Sequence, residues 1–286
     1  MIQDFDTELL KKLYRPAQDS HKGQNGKLLL IGGSKLFHAA SLWPLTVASR
    51  VCDMVFYASV PENNNLVLRA KEEFRNGIVI PRSKIDDYIQ EADCILIGPG
   101  LPRNNGEENG DDDTKYLTER LLVKYPEKKW VIDGGSLQTI NPEILLILKT
   151  MPILTPHHGE FEMLKNNASA GFRHAIENME LEDQVQPFAS EFHCTVVLKG
   201  KEDFIASPNE VCKVKGGNAG MTKGGTGDVL AGLVSSLYCK NEAFLAACAG
   251  SFINKKAGEN LEKSMGVYFN ATDLAYEIPR VMKELL

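Results

Sequence analysis

No stretch of about 18 consecutive apolar residues occurs in this sequence of 286 residues, so a bilayer-spanning helix is not expected. Nor is a secretory leader expected, because Met1-Ile2-Gln3-Asp4-Phe5-Asp6 is acidic and lacks the basic and apolar regions of a signal peptide. Cysteine is sparse, six in all, and no two are spaced C-x-x-C, which argues against a zinc ribbon or a dithiol motif. Positive charge is in deficit: Lys+Arg 32 against Asp+Glu 38 leaves a net charge of −6. Duplex nucleic acid needs clustered Lys and Arg to displace its counterions, so it is not an expected partner. There is no G-x-x-x-x-G-K-[ST] and hence no Walker A loop, no internal repeat, and no Pro-, Gly- or Ser-rich linker. What is present is an ordinary globular composition, 43% hydrophobic and 24% charged. The length permits a large core without disulfides or structural metal. Residues 1–286 are expected to form one domain in a reducing cytoplasm, with cysteines such as Cys94 acting as small core hydrophobes.

Short apolar runs alternate with longer helical patterns. Strands are expected at Lys27–Ile31, Met54–Ser59, Ile78–Ile80, Cys94–Ile97, Trp130–Ile132, Pro152–Leu154 and Thr195–Leu198. Such near-continuous apolar runs mark strands buried on both faces of a parallel sheet. Helices are expected at Ala39–Val51, Ile85–Ala92, Thr114–Tyr125, Pro142–Lys149 and Gln184–Phe192. In the last third three more begin near Gly227, Glu242 and Thr272, and Pro279 should kink or end the final one. The βαβα order implies an α/β fold with helices on both faces of a mostly parallel sheet. Residues 104–113 hold five acidic residues among Gly and Asn and read as a solvated loop that supplies nearly all of the net charge.

In such a sheet the ligand lies beyond the carboxyl ends of the strands. The segments there are Gly32-Gly33-Ser34, Gly98-Pro99-Gly100, Asp133-Gly134-Gly135, Thr155-Pro156-His157-His158-Gly159-Glu160 and Lys199-Gly200-Lys201-Glu202-Asp203. Three glycine pairs, a histidine and a lysine together at strand ends point to a site. The strongest feature is the glycine-rich run from Gly216 to Gly232, whose second half opens a helix. There the amides of Gly225, Thr226, Gly227 and Asp228 are expected to be unsatisfied helix-start donors suited to a phosphate. Asp228 is either a helix-start carboxylate complementing the dipole or a general base aimed at a hydroxyl attacking that phosphate. Lys199, delivered by a buried strand, reads as a phosphate contact. For His157 a buried structural role is the alternative to a substrate contact, and for Glu160 a plain first-turn carboxylate is the alternative to orienting hydrated magnesium. Lys223 is left between screening phosphate and simple solvation.

Gly224-Gly225-Thr226-Gly227-Asp228-Val229-Leu230-Ala231-Gly232 resembles the catalytic loop of ribokinase-like small-molecule kinases. Together with Asn218-x-Gly220-Met221, Thr155-Pro156-His157-x-Gly159-Glu160, Gly98-Pro99-Gly100-Leu101, Gly32-Gly33-Ser34 and Ala39-Ala40, it resembles the NAD(P)H-hydrate dehydratases. The likeness runs from about residue 24 to 280. It implies a ribokinase-like three-layer αβα fold with a mostly parallel central sheet. It further implies ADP- or ATP-dependent dehydration of NADHX and NADPHX, the hydrated forms of NADH and NADPH: the ring hydroxyl is phosphorylated, and phosphate leaves.

In those terms Asp228 is the base, with Gly225, Thr226 and Gly227 stabilising the transferring group. Ala39, Gly100, His157 and Asp228 contact the hydrated dinucleotide. Lys199, Gly200, Lys201, Glu202, Asp203 and Gly227 hold the ADP or ATP donor, with Mg2+ as the metal; the residue that orients it is left open, Glu160 acting through water being the one candidate. The resemblance also implies a homo-oligomer, a tetramer in the family, and a separate NAD(P)HX epimerase in the same pathway. The chain departs from the family pattern at His38, Pro102, His158, Ala219 and Asp203. Two rivals remain: a kinase of a small alcohol such as hydroxymethylpyrimidine or hydroxyethylthiazole, and a non-catalytic nucleotide-binding subunit.

Overall fold

Leu28, Leu29, Leu30 and Ile31 all have 0% exposure, as a strand must when both faces of its sheet are covered. In the computed structural model, which describes residues 2–69, 77–103 and 113–286, they form the second of ten strands in one sheet. The strands are β1 (Gln3–Asp4), β2 (Lys27–Ile31), β3 (Met54–Ala58), β4 (Gly77–Ile80), β5 (Cys94–Ile97), β6 (Lys129–Ile132), β7 (Ile153–Leu154), β8 (Thr195–Leu198), β9 (Asp203–Ala206) and β10 (Val211–Val214). The helices are α1 (Ala39–Val51), α2 (Pro61–Arg69), α3 (Ile85–Ile89), α4 (Thr114–Lys124), α5 (Gly134–Thr139), α6 (His158–Asn166), α7 (Ala170–Ile176), α8 (Val185–Glu191), α9 (Thr226–Tyr238), α10 (Ala243–Met265) and α11 (Ala271–Leu285).

The sheet order is β1-β10-β9-β8-β7-β6-β5-β2-β3-β4. From β4 to β8 all pairings are parallel, whereas β9 runs antiparallel to both β8 and β10. The alternation of side chains splits the core in two. Leu28, Leu30, Leu96 and Val131 pack with α1, α9, α10 and α11 on one face. Leu29, Ile31, Ile95 and Ile132 pack with α3, α4, α6 and α8 on the other. This is the expected three-layer arrangement.

Several expectations are corrected. Pro142–Ile147 is a 3-10 turn rather than an α-helix, capped by Asn141, whose side chain accepts from the Glu143 amide. The final helix continues through Pro279 to Leu285. The β9–β10 hairpin and α2, α5, α6 and α7 were not expected. The acidic stretch at 104–113 lies, except for Asp113, outside the described residues; Asp113 caps α4 through the Tyr116 amide. All six cysteines are free and buried. No helix among the described residues is long and apolar enough to cross a membrane.

Candidate active site

The chain lays down β2, β3 and β4 in one direction and then returns to place β5 on the other side of β2. That reversal opens a crevice at the carboxyl ends of β2 and β5. The two loops there are bound to each other: the Gly33 amide donates to Pro99 O at 2.7 Å. Gly100 has φ +70°, and a Cβ on it would stand 2.5 Å from Phe37 O and 3.0 Å from the Ala40 Cβ. Only glycine fits. The expected substrate contacts Ala39 and Gly100 are thus brought to one wall. The strand-end glycines here serve loop-on-loop packing.

The ends of β6, β7 and β8 supply the charge. Lys199 continues β8 and bridges to His157 beyond β7. Its ammonium lies 3.2 Å from Asp133 Oδ1 and 3.7 Å from Glu160 Oε2. Thr155 Oγ1 donates to the same Asp133 oxygen at 2.8 Å. Burial alone would lower the Lys199 pKa, but the two carboxylates outweigh it and hold the ammonium charged. Burial pushes the Asp133 carboxyl up. For Glu160 burial also acts upward, yet Lys199 and the His157 amide overcome it and the net shift is down.

His157 and Glu160 form a reciprocal cap at the start of α6. The His157 amide donates to Glu160 Oε2 at 2.9 Å, and the Glu160 amide donates to His157 Nδ1 at 3.2 Å. Nδ1 is therefore the acceptor nitrogen in this cap. The His157 side chain is 58% exposed, so it is not the buried structural histidine weighed from sequence. Glu160 is both a capping carboxylate and a partner of Lys199.

The glycine-rich run folds as expected into the start of α9. Thr226 Oγ1 donates to Met221 O and Lys223 O, tying the loop to its own helix. Gly225 is the N-cap, with φ +95° and no side-chain cap. One correction applies: the Thr226 amide is directed at Lys223 O at 3.4 Å, so it is not a free donor. Among the described residues the amides of Gly225, Gly227 and Asp228 have no main-chain acceptor. Asp228, partly buried in the first turn, has its pKa pushed well up by burial and then by Asp133, against the pull of Lys199. Beneath the loop, a Cβ on Gly227 would lie 3.2 Å from Lys199 Nζ. Lys223, by contrast, lies over the Phe269 ring and donates to Val267 O.

The 199–203 segment reaches the site edge, but its side chains are arranged differently from expectation. Asp203 is 4% exposed and fully engaged. It accepts from the Gly200 amide at 2.9 Å and from Ser251 Oγ at 2.7 Å, and it pairs with Lys255 at 3.2 Å. Lys255 also donates to Gly200 O and Lys201 O, both at 3.1 Å. Asp203 therefore braces this segment from behind, and it is the backbone and Lys199 that stand at the site edge. Lys201 is exposed, and Glu202 pairs with Lys213. Sequence reasoning placed Asp133 and Thr155 in strand-end segments without giving either a role, and it did not name Ser251 or Lys255. Asp133 had one readable signal, its place directly after a buried strand.

The carboxylates offer the hard oxygen donors that magnesium takes. Glu160 is already committed to the His157 amide and to Lys199, so it suits a hydrated ion carried by nucleotide phosphates better than direct ligation. Among the described residues no group of three His, Cys, Asp or Glu side chains is placed to hold a metal on its own.

Comparison with known proteins agrees with this geometry. The chain is 37% identical over 282 residues to a bifunctional NAD(P)H-hydrate repair enzyme of Methanocaldococcus jannaschii, covering 96% of this chain and 51% of that protein. It therefore spans about half the length of that relative. It is 33% identical over 292 residues to an ADP-dependent (S)-NAD(P)H-hydrate dehydratase of Nitrosopumilus maritimus, covering 97% and 96% of the two chains. In fold it is similar to a ribokinase-like superfamily protein from Enterococcus faecalis, with a TM-score of 0.80, 22% identity, and 99% and 96% of the chains covered. The NAD(P)H-hydrate dehydratase family model matches residues 28–280, a span that takes in every strand end just described, and the chain belongs to that family.

Proposed function

We propose that this chain restores NADH and NADPH from their hydrates, using ADP or ATP as phosphoryl donor. One observation carries the reading. A half-buried carboxylate, Asp228, stands at a helix start with amides at Gly225 and Gly227 that have no main-chain acceptor among the described residues and a largely buried ammonium, Lys199, beneath. That combination supplies a base, an anion hole and a countercharge within one turn of helix.

In this reading Asp228 takes the proton from the hydroxyl on the hydrated ring. The hydroxyl oxygen forms a bond to the terminal phosphorus of the donor, and the bond from that phosphorus to the rest of the nucleotide breaks. The Gly225 and Gly227 amides and Lys199 face the charge on the transferred group. Phosphate then leaves the ring carbon with its electron pair, a proton is lost from the neighbouring carbon, and the double bond returns. With ADP the products are the dinucleotide, AMP and phosphate. Hydroxide is a poor leaving group and phosphate a good one, so phosphorylation makes the elimination feasible. Magnesium would neutralise donor phosphate charge, with Glu160 acting through water. Ala39, Gly100 and His157 are assigned to the hydrated dinucleotide, and the 199–203 backbone with Gly227 to the donor.

The ten strands in one sheet support reading residues 1–286 as a single catalytic domain. The family likeness supports a homo-tetramer and a separate epimerase in the same pathway, and six free buried thiols suit the cytoplasm. The test is incubation with NADHX and either ADP or ATP in the presence of magnesium, followed by the recovery of NADH absorbance. Stoichiometric release of inorganic phosphate is expected. A stable phosphoester without a recovered chromophore would instead indicate a kinase of this fold, and donor binding without turnover would indicate a nucleotide-binding subunit.

A further inference from the structure

We propose that Trp43 is a positioning residue for the phosphoryl-binding loop, held by Thr272 so that its indole fixes the backbone of Gly225. The inference rests on reading the Gly225–Asp228 amides as that loop. Trp43 lies on α1, one turn beyond Ala39, and its six-membered ring covers Gly225: a Cβ on that glycine would stand 2.6 Å from Cε3 and 2.7 Å from Cη2. On its other edge the indole Nε1 donates to Thr272 Oγ1 at 3.1 Å. Thr272 is fixed in turn at the start of α11, where Asn270 Oδ1 accepts from the amides of Thr272 and Asp273. A chain of contacts therefore runs from the cap of α11 through Thr272 and Trp43 to Gly225.

The reason such a support matters lies in the glycine. Gly225 is the N-cap of α9, has φ +95°, and has no side chain with which to cap the helix. Glycine samples many backbone states at little cost, and each alternative state re-aims the amides of Gly225, Gly227 and Asp228. Anion stabilisation depends on donors already aimed at the place where charge develops. Thr226 Oγ1, bonded to Met221 O and Lys223 O, restrains the loop on the helix side. Trp43 restrains it from α1, so the glycine is held between the two.

The test uses Thr272→Val and Trp43→Phe in the full chain. Thr272 is exposed, so its replacement should leave stability almost unchanged while freeing the indole. With NADHX, ADP and magnesium, kcat should fall severalfold in Thr272→Val and on the order of tenfold in Trp43→Phe, with the KM for NADHX unchanged in both. A merely structural role would lower Tm and leave kcat intact. If both variants keep kcat within about twofold of the parent, the proposal is wrong.

A second readout needs no turnover. The only other tryptophan, Trp130, is fully buried, and its Nε1 donates to Tyr125 O. Saturation with ADP and magnesium, followed by calorimetry, should therefore change the Trp43 emission, and the Trp43→Phe spectrum should not respond. Binding without any emission change would overturn the inference. A parent protein that binds ADP with the emission change yet fails to dehydrate NADHX would sink the proposed function and leave this inference standing.

Discussion

The ammonium of Lys199 lies 3.2 Å from Oδ1 of Asp133, and that pair sits directly below the first turn of α9. With Glu160 and Asp228 nearby, the group holds three carboxylates against one lysine. The surplus negative charge suits the proposed meeting with magnesium and a nucleotide, and it makes Asp228 harder to ionise. A carboxyl so placed is a stronger base once ionised than an ordinary surface aspartate.

Asp228→Asn should abolish turnover, by at least a hundredfold, because asparagine cannot accept the proton. ADP binding, measured by calorimetry, should persist. The substitution should also stabilise the fold. The folded-state pKa of Asp228 is raised above the ordinary value of 3.8, so ionising it costs stability as pH rises through and beyond that value. Thermal melts should show a higher Tm for Asp228→Asn at neutral pH, and the gain should vanish near pH 3. Activity within tenfold of the parent would remove Asp228 as the base.

The acid limb of the pH–rate profile should move in opposite directions in two neighbours. Asp133 is a like charge that raises the Asp228 pKa, and Lys199 is an opposite charge that lowers it. Since the base must be ionised, kcat/KM falls as pH drops through its pKa. Asp133→Asn should carry that fall to lower pH, and Lys199→Met should carry it to higher pH. Lys199→Met also strands two buried carboxylates and should cost about 3 kcal/mol in stability. Shifts of the same sign in both variants would show that the limb does not report Asp228.

Much of this was legible in the chain. Leu28 to Ile31 and Cys94 to Ile97 are unbroken apolar runs, and both became central parallel strands. The Gly225-Thr226-Gly227-Asp228 turn was readable because a helix start after glycines has few other uses. The unread parts share a cause. Asp203–Ala206 and Val211–Val214 form a hairpin at the antiparallel side of the sheet, where short strands carry a weak apolar signal. Asp133 and Lys255 act through partners 66 and 52 residues away, at Lys199 and Asp203, and such pairings exist only after folding. Asp203 was read as a donor contact because its place in the segment is right. Only the ion pair reveals that its carboxylate points back into the protein.

His157 can be separated into its two roles. Its Nδ1 caps α6, and the imidazole, 58% exposed, is proposed to meet the substrate. His157→Ala should lose about 1 kcal/mol of stability with the cap and raise the KM for NADHX. His157→Asn should restore the cap, since asparagine is among the best N-cap residues, and recover Tm without recovering KM. If the asparagine variant restores both, the imidazole makes no contact with the dinucleotide and its role is the cap alone.

Lys255 gives the clearest way to weaken donor binding without touching the reacting groups. Its ammonium joins Asp203 to the carbonyls of Gly200 and Lys201, so it fixes the backbone proposed to meet the donor. Lys255→Met leaves Asp203 buried with only the Gly200 amide and Ser251 as partners, and it should cost about 3 kcal/mol in stability. The kinetic effect should be selective. The KM for ADP should rise about tenfold as the loop loses its preorganisation, while the KM for NADHX, proposed to depend on Ala39, Gly100 and His157, should hold. Lys255→Arg, which keeps the charge and can span the same carbonyls, should recover most of the donor affinity. Equal increases in both KM values would mean that Lys255 supports the whole site rather than the donor loop.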